Sequence, residues 1–235
     1  MRYMGSKGRY ARYIIPHLME DHDKDKWYVE PFLGGGNLFS EVPAKFKWGN
    51  DTAEYAVALL KALSLGWQPP TILSETEYYE IKEDPHGYDP ELVGFAAYCC
   101  SYAGKFWGGY WRSNDSKGNP RNSALEQARN LESQRKGLMG AKFTVGSFLS
   151  MDIPEGSTVY CDPPYANTTG YQGGFDHKIF WDWCRKQSRE KGCRVFVSEY
   201  VAPQGVKCVW EKGVTNSLTK DTGSKKGVER LFQLC

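Results

Sequence analysis

A chain of 235 residues, 40% of them hydrophobic, can bury one large core or a core with an insertion, which excludes a minimal scaffold that needs staples. Its seven cysteines are odd in number, scattered and never spaced C-x-x-C, so a reducing cytoplasm is expected, with neither a disulfide framework nor a structural metal. The formal charge is only +2, but its uneven placement matters more to a polyanionic partner than its sum.

In chain order, the opening "MRYMGSKGRYARYIIPHL" carries four basic residues by Ile15 (Arg2, Lys7, Arg9, Arg12) and no acid. It lacks the apolar core of a signal peptide, and no later run reaches the length of a membrane span, so a soluble intracellular protein is expected. "KWYVEPFLGGGNLFSEV" reads as a short strand, a turn at Pro31, the glycines Gly34, Gly35 and Gly36, and then a stretch of helical character. Strand, glycine loop and helix is the outline of a βαβ unit that binds a nucleotide-like cofactor. "KFKWGNDTAEYAVALLKALSLG" gives a second strand ending at Asp51 and a helix with Ala56, Leu59, Leu60 and Leu63 on one face. Asp51 follows Gly34 by 17 positions, close to the ~20 that separate a glycine loop from its ribose-binding acid. It reads equally well as a helix N-cap.

Composition changes over residues 69–142. "ETEYYEIKEDPHGYDPE" is polar and turn-rich, "LVGFAAYCCSYA" reads as a buried helix, and "GKFWGGYWRSNDSKGNPRN" as a basic, aromatic loop or hairpin. "SALEQARNLESQRKGLMG" predicts an amphipathic helix capped by Ser123, with Gly137 beyond its last turn. From Tyr102 to Lys142 eight basic residues face three acids, interleaved with Phe106, Trp107, Tyr110 and Trp111. That mixture suits phosphate contact and base stacking, and it also describes a solvated face beside ordinary core aromatics. A core strand resumes at "AKFTVGSFLSM" and another at "STVYCDPPY". A helix around "KIFWDWCRKQSREKG", a strand "CRVFVSEY" and two antiparallel edge strands at "VKCVWEK" and "VERLFQL" complete the expected elements.

The corner "DPPY" ends its strand by necessity: neither proline can donate a ladder hydrogen bond, and Pro163 biases Asp162 away from helix. The result is a stiff bend carrying one carboxylate and one exposed ring. With "YMGSK" (Tyr3 to Lys7), "EPFLGGG" (Glu30 to Gly36), "ND" (Asn50, Asp51), "YWRSN" (Tyr110 to Asn114) and "DPPY" (Asp162 to Tyr165) in this order, the chain resembles the amino-group DNA adenine methyltransferases whose cofactor motif precedes the DPPY motif.

That resemblance implies an α/β, Rossmann-like S-adenosylmethionine-dependent fold with a mixed, mainly parallel sheet. Residues 1–68 and 143–235 would form the catalytic domain, and 69–142 an inserted, mostly helical target-recognition subdomain. The cofactor would be S-adenosylmethionine, touched by Tyr3, Lys7, Phe32, Gly34, Gly35, Gly36, Asp51, Phe148 and Asp162. Asp162, Pro163, Pro164 and Tyr165 would be catalytic, and Lys105, Arg112, Asn114, Lys117 and Arg121 would contact double-stranded DNA, with no metal and no membrane involved. The setting implied is the cytoplasm of a bacterium or of a phage-infected host.

Asp162 and the Pro163 carbonyl would each accept one hydrogen of an adenine N6 amine, aiming its lone pair, while Tyr165 stacks on the extruded base at about 1–3 kcal/mol. The chain departs from better-known members at Gly108-Gly109, where they carry Asn-Gly, so no recognition sequence transfers. Methylation of an RNA base or a glutamine amide, a non-catalytic DNA-binding relative, and a nicotinamide dehydrogenase are the rivals. The last leaves DPPY without a role. "ANTTGYQGGFDHKIFW" reads either as a loop closing over the base or as a plain connection.

Overall fold

The computed structural model describes residues 1–165, 174–215 and 226–234. The segment 166–173 after the DPPY corner, within the stretch read either as a closing loop or as a plain connection, lies outside the described residues. In chain order the elements are α1 (Ala11–Met19), β1 (Trp27–Glu30), β2 (Phe46–Asp51), α2 (Glu54–Ser64), α3 (Glu75–Glu83), α4 (Pro90–Gly94), α5 (Ser123–Leu138), β3 (Lys142–Val145), β4 (Thr158–Cys161), α6 (His177–Lys191), β5 (Arg194–Glu199), β6 (Lys207–Thr215) and β7 (Lys226–Gln233). Among the described residues the strands form a seven-stranded sheet in the order β3-β2-β1-β4-β5-β7-β6. The pairs β2–β3, β1–β4 and β4–β5 run parallel, while β7 is antiparallel to both β5 and β6. This is the mixed, mainly parallel α/β sheet expected from the sequence.

The chain divides into two compact units: Met1–Ala11, Leu33–Pro43 and Lys47–Ser147 in one, Arg12–Phe32, Ala44–Phe46 and Phe148–Cys235 in the other. The core of the first is helical. Ala56, Val57, Leu59, Leu60 and Leu63 of α2 are buried, as are Leu131 and Leu138 of α5 and the π-helical turn Phe95–Cys99 that extends α4. The second unit is built on its sheet. Val159, Tyr160, Cys161, Val195, Phe196 and Val197 form runs buried on both faces, as parallel strands require.

Four local expectations need correction. The polar stretch after Pro70 is not turn-rich throughout but forms α3, started by a reciprocal capping box in which Ser74 accepts from the Glu77 N–H and Glu77 from the Ser74 N–H. The stretch after the glycine loop makes only a 3-10 turn, Phe39–Glu41, because Pro43 has no N–H to extend the ladder and holds Val42 extended; the buried Lys47 ammonium satisfies the Phe39 and Val42 carbonyls instead (3.1 and 3.3 Å). The cap of α5 is Asn122, whose Oδ1 accepts from the Leu125 N–H (3.0 Å), not Ser123. Gly137 lies inside α5's last turn rather than beyond it, and serves close packing there, since any Cβ would collide with the Ser40 carbonyl.

Candidate active site

In the first unit the chain leaves the sheet at Leu33, whose N–H donates to the Asn50 carbonyl (2.8 Å), and turns through the glycines. Gly34 and Gly36 hold φ of +50° and +61°, in the left-handed region that glycine adopts without strain. A Cβ at Gly34 would stand 3.0 Å from Tyr3 Cε1, and one at Gly35 2.6 Å from Tyr3 Cβ. The space these glycines leave is therefore filled in part by this chain's own Tyr3. That ring also stacks on Tyr98 at 5.1 Å, and the neighbouring Met4 N–H is tied to the Gly104 carbonyl (3.2 Å). Lys7, half-buried, opens a 3-10 turn and accepts the Tyr10 N–H on its carbonyl (2.8 Å).

Asp51 ends β2, in register with Val145 at the end of the parallel strand β3. Its Oδ2 accepts the Gly34 N–H (2.7 Å) and its Oδ1 the Ala53 N–H (2.9 Å). Ala53, not Asp51, is the N-cap of α2. Burial pushes the Asp51 carboxyl above its ordinary range, while the Ala53, Gly34 and Thr52 N–H groups pull it back. A carboxylate offers about four acceptor positions, so the Gly34, Ala53 and Thr52 N–H groups leave room for a ribose hydroxyl. The first unit thus places a carboxylate acceptor and the Tyr3 ring against the glycine turn.

In the second unit β1 and β4 lie side by side in register (Tyr28 with Thr158, Val29 with Val159), so the Pro31-Phe32 turn and the DPPY corner leave the same carboxyl edge. The strand order reverses between these two strands, the place where open α/β sheets bind ligands. Phe32 packs against Phe148 (5.2 Å), Phe175 (5.8 Å) and Phe180 (5.7 Å), forming with Phe148 and Phe175 a half-buried aromatic cluster suited to a flat ring. Phe175 and Phe180 were not anticipated from sequence; the spacing F-x4-F at the start of α6 was their one signal.

Asp162 follows β4 directly, half-buried, with its Oδ1 shielded from solvent. Burial and then the Asp162 charge push the phenol of Tyr160 well up, and Tyr160 in turn bonds Ser198 Oγ at 2.8 Å. Pro163 is buried and Pro164 half-buried, so the bend is anchored. Tyr165 is not the exposed ring expected. It is half-buried, its hydroxyl donates to Glu229 Oε2 (2.9 Å), and its ring meets Tyr200 edge to face at 4.7 Å. Nothing local in the sequence marks Glu229 or Tyr200, because both contacts come from strand pairing far along the chain.

The residues expected to meet DNA lie in the first unit. Lys105, Arg112, Asn114, Lys117 and Arg121 are all exposed; Asn114 and Lys117 sit on a short turn closed by the bridge Asn114–Pro120, and Arg112 and Arg121 flank it. The Asp115 carboxylate shapes that turn by accepting the Lys117 and Asn119 N–H groups (2.8 and 2.9 Å). Arg112 forks onto Glu75 and Arg121 onto Glu126, while the Arg2 and Arg121 guanidinium groups lie over the Trp111 ring at 3.4 and 5.6 Å. Exposed pairs of this kind contribute little to stability, so they can exchange carboxylate for phosphate cheaply. Among the described residues no helix is long and apolar enough to cross a membrane, and no group of three or more His, Cys, Asp or Glu side chains is placed to hold a metal ion.

A family model described as D12 class N6 adenine-specific DNA methyltransferase matches residues 3–221. No protein of curated function matches the sequence. Among solved structures the chain is similar to the Escherichia coli protein yhhF (12% identity, TM-score 0.42, covering 100% of this chain and 89% of that one). It is also similar to the tRNA (m1A58) methyltransferase TrmI of Aquifex aeolicus (13%, 0.41, 98% and 70%) and to an rRNA methylase of Streptococcus thermophilus (11%, 0.38, 99% and 99%). Those likenesses are too distant to assign a substrate.

Proposed function

We propose, from the premise that this chain belongs to the D12 class of N6 adenine-specific DNA methyltransferases, that it methylates the N6 amine of an adenine turned out of duplex DNA. The protein is a methyltransferase, and S-adenosylmethionine supplies its electrophilic methyl group. We assign the cofactor's ribose to Asp51, its adenine to Phe32 and Phe148, and its remaining contacts to Tyr3, Lys7, Gly34, Gly35, Gly36 and Asp162. The observation that carries the reading is the anchored DPPY corner at the carboxyl end of β4, beside the turn that leaves β1.

An exocyclic amine is a weak nucleophile because its lone pair is delocalised into the ring. A carboxylate and a carbonyl held by two prolines each accept one amine hydrogen, which localises that lone pair and directs it. Asp162 and the Pro163 carbonyl take these roles, Pro164 stiffens the bend, and Tyr165 stacks on the base. No covalent enzyme intermediate is needed, so positioning and fixed dipoles supply most of the acceleration. The target amine is paired within a duplex, so the base leaves the stack first.

Residues 69–142 act as the target-recognition segment, with Lys105, Arg112, Asn114, Lys117 and Arg121 approaching the DNA. A guanidinium there can read a guanine edge or hold a phosphate. The test is transfer of a tritiated methyl group to duplex DNA, RNA and protein, followed by digestion and single-molecule sequencing. N6-methyladenine in DNA is expected. Label confined to RNA or to glutamine would replace this reading.

A further inference from the structure

Strand β7 runs from Lys226 to Gln233, beyond residues 3–221 that the family model matches, yet it touches the ring of the DPPY corner. Glu229 is a buried carboxylate, 7% exposed, on that strand, and it accepts the Tyr165 hydroxyl. The next residue, Arg230, pairs across the ladder with Glu199 and donates from Nη1 to the Tyr200 carbonyl (2.6 Å). Tyr200 is the ring that meets Tyr165 at 86°. Two consecutive β7 residues thus fix Tyr165, one through its hydroxyl and one through the neighbour that braces its ring.

We propose that Glu229 and Tyr200 are positioning residues that hold the Tyr165 ring in the plane needed to stack on the target base, with β7 as the element that sets that plane. The inference rests on the function proposed above. A tyrosine ring turns freely about two side-chain bonds unless something holds it, and stacking rewards only a narrow range of plane angles. Burying a carboxylate costs free energy unless it is hydrogen-bonded, and the phenol of Tyr165 supplies one such bond. A phenylalanine in place of Tyr165 would keep the stacking face and lose the anchor. The hydroxyl therefore serves orientation, not proton transfer.

Steady-state methylation by single and double variants tests this. Glu229→Ala and Tyr165→Phe are each expected to lower kcat about tenfold, since small misplacements of this kind cost up to about 10²-fold. S-adenosylmethionine affinity should stay within about twofold, and the double variant should be no slower than either single one. Glu229→Gln keeps an acceptor and should stay within about threefold of wild type. Independent, multiplicative losses, or an unchanged kcat in Glu229→Ala, overturn the proposal.

If Glu229→Ala does not fold, Tyr200→Leu stands in, and full activity there overturns the proposal as well. A second readout needs no substrate. In protein labelled with [13C]tyrosine, the Tyr165 phenol, assigned by its loss in Tyr165→Phe, should ionise at lower pH in Glu229→Gln than in wild type. An unmoved phenol refutes the anchor. A wild-type protein that transfers no methyl group to DNA refutes the proposed function instead, and the phenol titration still decides whether β7 holds the ring.

Discussion

Replacing Asp51 by Asn separates the cofactor role of this residue from its structural one. The carboxylate accepts the Gly34 and Ala53 N–H groups, and its pKa is raised above the ordinary 3.8 chiefly by burial. An acid with a raised pKa binds more protons folded than unfolded between its two pKa values. Stability therefore falls as the pH rises through that window, and at neutral pH the ionised form works against folding. Asparagine removes the buried charge, keeps one acceptor and loses the other, at about 0.5–1.5 kcal/mol for a neutral hydrogen bond. The two effects oppose each other, so thermal unfolding at pH 7.5 should move by only a few degrees.

The cofactor responds differently. A hydroxyl bonded to a charged acceptor is worth about 1.5–3 kcal/mol, which corresponds to a loss of about 10- to 150-fold in affinity. Isothermal titration with S-adenosylmethionine, run beside circular-dichroism melts, measures both quantities on one preparation. Binding within threefold of wild type by a folded Asp51→Asn protein would refute the ribose assignment and leave Asp51 as a loop anchor only.

Asp162→Ala should nearly abolish methyl transfer while leaving cofactor affinity within about an order of magnitude, and retention of most activity in a filter-binding assay would remove Asp162 from the mechanism. Arg112→Ala should leave stability within about 0.5 kcal/mol, since its partner Glu75 is an exposed pair. If Arg112 meets a phosphate, the plot of log affinity for DNA against log salt should flatten by about one unit of slope; an unchanged slope would assign it elsewhere. Gly137→Ala should destabilise the fold by about 1–3 kcal/mol in urea titrations, because the added methyl meets the Ser40 backbone, and a neutral result would show that α5 can shift to accommodate it.

Strands and motif order were legible because each is a local pattern. Apolar runs bounded by Pro31, Asp51 and Pro163 mark the parallel strands, and the DPPY corner announces its own strand end. What escaped depended on partners distant in sequence. One exception was local: "NLFSEV" reads as helical by itself, but Pro43 directly after it ends the run at a single turn, with Lys47 taking the carbonyls left over. The α3 capping box was visible in "SETE", yet only Tyr78 and Ile81 of that helix are buried, so its apolar stripe was too thin to outweigh a polar composition. Tyr165 was read as exposed because Glu229 stands 64 residues further on, and a carboxylate in an edge-strand pattern carries no sign of its partner.

The far end of α5 bears on how target preference can be re-engineered. Gln134 Nε2 donates to the Gly35 carbonyl (3.3 Å), Gly137 lies against Ser40, and the Lys47 ammonium also reaches the Gly137 carbonyl. The closing turns of a helix in the segment proposed for target recognition thus brace the glycine loop itself. A chimera that exchanged the whole of 69–142 would import a foreign brace and disturb that loop along with the specificity it meant to alter. Grafts should end before Gln134, so that the donor contributes the basic turn and the host retains the helix end that its own loop was shaped against.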